Sequence, residues 1–217
     1  SEYLYRGIAQ TNGKMALQGG FDYSHASGVY AGVWGSNISW LSDAGPGISA
    51  PLELDVYGGY KNSFGGGDWS YDVGVLTYNY PGTYPSGFTK PDTTELYGQI
   101  GWKFVSLKYS HVVSSHIFGF TTPTGGKTNG SGYLDLSVNY DLGNGWGVNA
   151  HAGHQKIKDF GDASYSDYKV GVSKEFFGVG FGLAVIGTNA DKVAYASPAN
   201  GKFMGKTALV LTATKTF

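Results

Sequence analysis

Three sets of residues in this chain have side chains able to do chemistry, and spacing decides what each set can do. The first is histidine. His151 and His154 lie three positions apart and His111 and His116 five. On a strand an odd separation turns two side chains to opposite faces, so neither pair can share a metal, and structural or interfacial roles are expected. The second is a Ser–His pair, for which Ser110, Ser114, Ser166, His111 and His154 are the raw material. Such a nucleophile needs both residues on adjacent strands facing one side, and none of these sits in a recognisable nucleophile sequence. The third set is the charged residues. Arg6, Asp22, Asp55, Lys61, Asp72, Lys103, Lys108, Asp135, Lys169 and Glu175 fall at positions that alternate with apolar ones. They are the candidate site: a charged lining on one face of a sheet.

Other chemistry is absent or weak. The run Phe64-Gly-Gly-Gly67 has no following Lys-Ser/Thr and opens no helix, so it reads as a turn and not a phosphate cradle. Cysteine is absent, which excludes disulfides, thiolate metal sites and cysteine nucleophiles. No metal or other cofactor is expected. Net charge is -1, so nothing advertises nucleic acid as a partner.

The elements that must position the charged set follow from composition and period. Only 14% of residues are charged, while 16% are aromatic and 36 are Gly. A typical soluble domain carries about 25% charge. No stretch is apolar enough for a membrane-spanning helix. The dominant period is two. In 134–140, Leu134, Leu136, Val138 and Tyr140 alternate with Asp135, Ser137 and Asn139. Turn signals then divide the chain into about twelve strands: 2–10, 15–25, 28–40, 53–62, 68–80, 93–103, 105–118, 131–142, 146–157, 165–176, 178–188 and 205–217. Most reach the roughly 9–11 residues that a tilted strand needs to cross a bilayer.

Connections alternate in length. Long ones (41–52, 81–92, 119–130, 158–164, 189–204) lie on one side and tight turns on the other, the layout of a transmembrane barrel. All seven prolines, which cannot donate to a ladder, fall in the long connections. The expected fold is all-β: residues 1–217 form a single 12-stranded antiparallel up-and-down transmembrane β-barrel in the bacterial outer membrane. Its apolar face, with Tyr3, Tyr5, Phe21, Val33, Val56, Val75, Ile100, Leu136, Val170, Phe181 and Leu211, meets outer-membrane lipid. Tyr23, Tyr60, Trp69, Trp102, Tyr140, Trp146, Phe176 and Phe217 near strand ends suit an interfacial girdle. Arg6 is too costly to face lipid and should point inward, with Asp22 as its partner. Asn12-Gly13 should turn the first strand into the second. Phe217 closes an alternating final strand, as expected of a signal to the barrel-assembly machinery.

The stretch Tyr3-Leu-Tyr-Arg-Gly-Ile-Ala-Gln-Thr-Asn-Gly13, with Ala16-Leu-Gln-Gly-Gly-Phe-Asp-Tyr-Ser24 and Gly28-Val-Tyr-Ala-Gly-Val-Trp-Gly-Ser-Asn37, resembles the opening of the TorF family of proteobacterial outer-membrane porins. The resemblance covers roughly the first 40 residues. It implies an outer-membrane barrel and a channel, and it carries no substrate or residue roles.

Twelve strands at about 4.8 Å spacing and a tilt near 40° give a backbone diameter of roughly 24 Å, and inward side chains leave a bore of at most roughly 10 Å. That suits passive diffusion of ions or small polar solutes through a narrow charged lumen. The other reading of the same charges is a salt-bridged plug in a closed structural or surface-recognition barrel. An outer-membrane lipase-type enzyme is a third and lesser one, so no enzyme is expected. A 12-stranded wall is smaller than trimeric porins usually have, which points to a monomer.

Overall fold

The computed structural model describes residues 1–217 and contains no α-helix. Thirteen strands follow in chain order: β1 (Leu4–Tyr5), β2 (Ile8–Ala9), β3 (Gln18–Ser24), β4 (Val29–Asn37), β5 (Leu52–Phe64), β6 (Trp69–Asn79), β7 (Thr93–Trp102), β8 (Val105–Val112), β9 (Gly132–Gly143), β10 (Trp146–Lys156), β11 (Tyr165–Phe176), β12 (Val179–Thr188) and β13 (Ala208–Thr214). From β3 to β13 each strand pairs antiparallel with the next, giving one 11-stranded up-and-down sheet. Beyond it, β1 and β2 pair only with each other.

The alternation has its expected effect. Phe21, Val33, Val56, Val73, Leu96, Ile100, Leu107, Leu136, Val170, Phe181 and Leu211 all point outward and are exposed. Bare apolar side chains around a whole sheet are stable only against hydrocarbon. At the short-turn end, Phe64, Trp69, Trp102, Phe104, Tyr140, Trp146, Phe176 and Phe177 form an exposed aromatic belt. The turns there are tight. Asn144-Gly145 and Phe177-Gly178 both take left-handed φ at the two central positions, the geometry whose twist matches paired strands.

The first wall strand expected at 2–10 does not form, so the wall has eleven strands where twelve were expected. Arg6 and Gly7 (φ 46° and 77°) fold the segment back on itself, placing Leu4 opposite Ala9 and Tyr5 opposite Ile8. This hairpin lies inside the sheet. Tyr3 and Tyr5, expected on the lipid face, pack instead against inner aromatics. Tyr3 meets Trp34 edge to face at 5.5 Å, and Tyr5 meets Tyr78 at 5.7 Å and Phe118 at 6.0 Å. An alternating segment with an arginine at its centre satisfies both halves here: its rings find rings, and its charge finds a carboxylate. Asn12-Gly13 is also a left-handed turn, but it joins the hairpin to β3 and does not link two wall strands.

With an odd number of strands, the two edges β3 and β13 run in the same sense and share no ladder. Ser1 sits between them, its Oγ accepting the Leu211 N–H at 2.9 Å and its carbonyl accepting the Ala16 N–H at 3.0 Å.

Candidate functional site

The buried core of the molecule lies within the sheet, toward the long loops. One cluster gathers Ile38, Leu41, Ala50, Tyr78 and Tyr80, a second Val112, Ile117, Ile157 and Ala163, and Phe118 packs on both. The hairpin is stitched to these loops, with the Ala9 N–H donating to the Met204 carbonyl (2.9 Å) and the Ser39 N–H to the Gln10 carbonyl (2.9 Å).

Beneath this layer the inward side chains form a polar network in three parts. At the top, Arg6 Nη1 donates to Glu95 Oε1 at 2.9 Å and Nη2 to Glu95 Oε2 at 2.7 Å. The fork is completed by Gln155 Oε1, 2.7 Å from Nη1. Tyr78 donates to Glu95 Oε2 at 3.2 Å, and the guanidinium lies over the rings of Tyr5 and Tyr133. The Arg6 and Glu95 side chains are 6% and 1% exposed, so this ion pair is withdrawn from water, where a charge must have both a counter-ion and hydrogen bonds. Arg6 therefore faces inward as expected, but its partner is Glu95 on β7 and not Asp22. Glu95 is not among the residues the sequence reading singled out, although two-residue alternation sets it on the same face as Tyr97 and Gln99. Its selection among the inward carboxylates was set by the height at which the hairpin turns.

In the second part, His151 bridges two carboxylates. Its Nδ1 lies 2.8 Å from Asp135 Oδ2 and its Nε2 2.8 Å from Asp167 Oδ2. Tyr133 donates to Asp167 Oδ1 at 2.9 Å, which joins this group to the aromatic seat of Arg6. The third part lies along β3–β8. Tyr30 donates to Asp72 at 2.6 Å and meets Tyr97, while Tyr57 donates to Asp22. Lys108 Nζ lies 3.9 Å from the Tyr97 ring centre and Lys61 Nζ 5.0 Å from that of Tyr30.

The remaining candidates fall as follows. Asp55 is buried, with Oδ1 lacking a protein partner. Lys169, opposite His151 in register, lines a lower cavity of about 420 Å³ with Asn149 and Ser173. Glu175 takes an inward position at the short-turn end, where it is exposed. Lys103, expected on the inward face, does not lie there. It occupies the turn after β7 at φ 52°, half exposed, with Nζ 3.8 Å from Asp68 on the neighbouring turn. Strand β7 ends at Trp102, so the alternation was carried one residue too far.

On the outer wall, His154 and Ser166 are register partners on β10 and β11, with Nδ1 2.9 Å from Oγ. The Ser166 N–H is spent on Asn189 Oδ1 at 2.7 Å. The pair meets the adjacency condition for a nucleophile, and Ser166 is the only side chain bonded to the His154 ring.

An antiparallel up-and-down wall with outward apolar side chains defines the transmembrane β-barrel fold. Two solved structures share it. One described as "NanC porin structure in rhombohedral crystal form" aligns with a TM-score of 0.62 at 11% identity, covering 91% of this chain and 90% of that one. One described as "KdgM porin" aligns with a TM-score of 0.55 at 10% identity, covering 80% and 84%. No curated protein matches the sequence. The family described as "Bacterial protein of unknown function (Gcw_chp)" matches residues 1–217, and the chain belongs to that family.

Proposed function

We propose that the protein is an outer-membrane channel of porin type, passing ions or small polar solutes by diffusion through a narrow charged lumen. The observation that carries this reading is the line of inward charge and hydroxyl groups below the hairpin, enclosed by an outward apolar wall. A barrel that only filled its interior would gain more from apolar packing, because buried ion pairs rarely repay their desolvation. Electrostatic selection needs no nucleophile, metal or nucleotide. The resemblance of the opening residues to the TorF porins accords with this role. Outer-membrane lipid and the barrel-assembly machinery, addressed through Phe217, are the proposed partners, and the working unit is a monomer.

The test is single-channel recording in a planar bilayer across a salt gradient. Small discrete current steps are expected. The reversal potential should favour cations, since Asp22, Asp72, Asp135, Asp167, Glu95 and Glu175 outnumber Arg6, Lys61, Lys108 and Lys169 on the inner side. Lys108→Ala should move the reversal potential further toward cations. Lys103→Ala should leave it unchanged, because its charge sits on the turn beside Asp68. A correctly folded barrel that stays silent would overturn the channel reading. It would favour a closed structural or surface-recognition barrel, a reading that the hairpin seated in the lumen also supports.

A further inference from the structure

Above the Arg6 fork the interior changes character. A cavity of about 300 Å³ opens among the long loops, walled by Trp40, Tyr80, Phe118, Phe120, Tyr165 and Tyr195. The rings brace one another edge to face. Trp40 meets Tyr80 at 5.5 Å and 83°, and Tyr165 meets Tyr195 at 5.0 Å and 75°. The only charged residue lining it is Arg6. That charge is already spent: its two terminal nitrogens are held by Glu95 and Gln155. Gln155 in turn gives its amide to the Gly132 carbonyl at 2.9 Å, and the Tyr195 hydroxyl is donated to the Ala163 carbonyl at 2.6 Å. The wall thus presents ring faces and edges, with Trp40 Nε1 and Ser197 Oγ, on residues that line it, left without a protein partner as neutral polar handles.

We infer that this vestibule is a binding site for a small uncharged aromatic solute of one or two rings. Its volume lies at the lower end of the range for small-molecule sites. Rings meeting it edge on can add the offset and T-shaped contacts that favour aromatic partners over aliphatic ones. An anion gains little, because Glu95 already neutralises Arg6. The inference concerns binding at the loop side and does not depend on passage through the lumen below.

The probe is 4-fluoroacetophenone, titrated against the refolded barrel and observed by ¹⁹F NMR, with protein-free detergent giving the partitioning background. Saturable broadening beyond that background is expected. Ala44→Phe, which adds a ring within the lining, should weaken it about tenfold, as should the milder Phe120→Leu, roughly the worth of one aromatic contact. Gel mobility before and after heating checks that each variant is folded. The anion 4-fluorobenzoate should bind more weakly than the ketone. No saturable component in the wild type would overturn the inference. So would equal binding by both folded variants, or tighter binding of the benzoate. Current recorded without the ketone separates the two readings. A silent barrel that binds it defeats the channel alone, and a conducting barrel that does not bind it defeats the vestibule site alone.

Discussion

Exchanging Arg6 for alanine is expected to destabilise the barrel by about 3–5 kcal/mol, the usual cost of leaving one member of a buried ion pair without its partner. Glu95 would keep only the Tyr78 hydroxyl, and its carboxylate is almost wholly removed from water. Unfolding in urea, followed by tryptophan fluorescence of the detergent-solubilised barrel, reads the loss. The double change Arg6→Met with Glu95→Leu should recover most of it, since two apolar groups of similar volume carry no stranded charge. Arg6→Lys should fall between, because an ammonium cannot make the two-pronged contact with the carboxylate or span to Gln155. In a bilayer, Arg6→Ala should also enlarge the current step, since the hairpin then loses its anchor to the wall at β7 and β10. An unchanged stability together with an unchanged step would show that the fork does not hold the hairpin.

Gly153→Val is expected to be the next most damaging change. The Tyr133 ring lies directly over Gly153, where any Cβ would overlap it and would also stand 2.8 Å from Asp167 Oδ1. The ring must leave, taking the Tyr133–Asp167 hydrogen bond and the aromatic face beneath Arg6 with it. Overpacking of this kind costs about 1–3 kcal/mol and the lost hydrogen bond roughly 1 more. Adding Tyr133→Ala to Gly153→Val should be less harmful than the two single changes combined, because the clash disappears. Strictly additive losses in urea would show that the ring and the glycine do not act as one unit. The same device recurs at Tyr97 over Gly74 and Tyr57 over Gly32, each pair directly opposite across neighbouring strands. It explains why a chain with 36 glycines still forms long strands: the missing side chain is replaced by a ring from next door.

The wall was legible because its signal is repeated at every strand. Leu134, Leu136 and Val138 face outward for the same elementary reason as Val29, Val33 and Val56, and the prolines mark where pairing stops. The hairpin was not legible for a local reason. Residues 2–10 alternate as a wall strand does, and the turn that breaks them is Arg6-Gly7. Arginine rarely takes left-handed φ, and it adopts it here because the buried fork holds its side chain. That error carried Tyr3 and Tyr5 to the wrong face and Arg6 to the wrong partner. His151 was readable as an inward residue from alternation. Its bridge to both Asp135 and Asp167 depends on β9, β10 and β11 lying side by side in a particular register, which no single strand's pattern contains. The approach of His154 to Ser166 follows from the same register.

The inner hairpin also constrains the order of assembly. It hangs from the loop end of β3, yet its side chains reach β7 and β10, and the loops around Trp40, Phe118 and Met204 pack over it. An arginine-bearing turn enclosed in this way has to be in position when the loops close over it, so the hairpin and the loops around Trp40, Phe118 and Met204 settle as one unit.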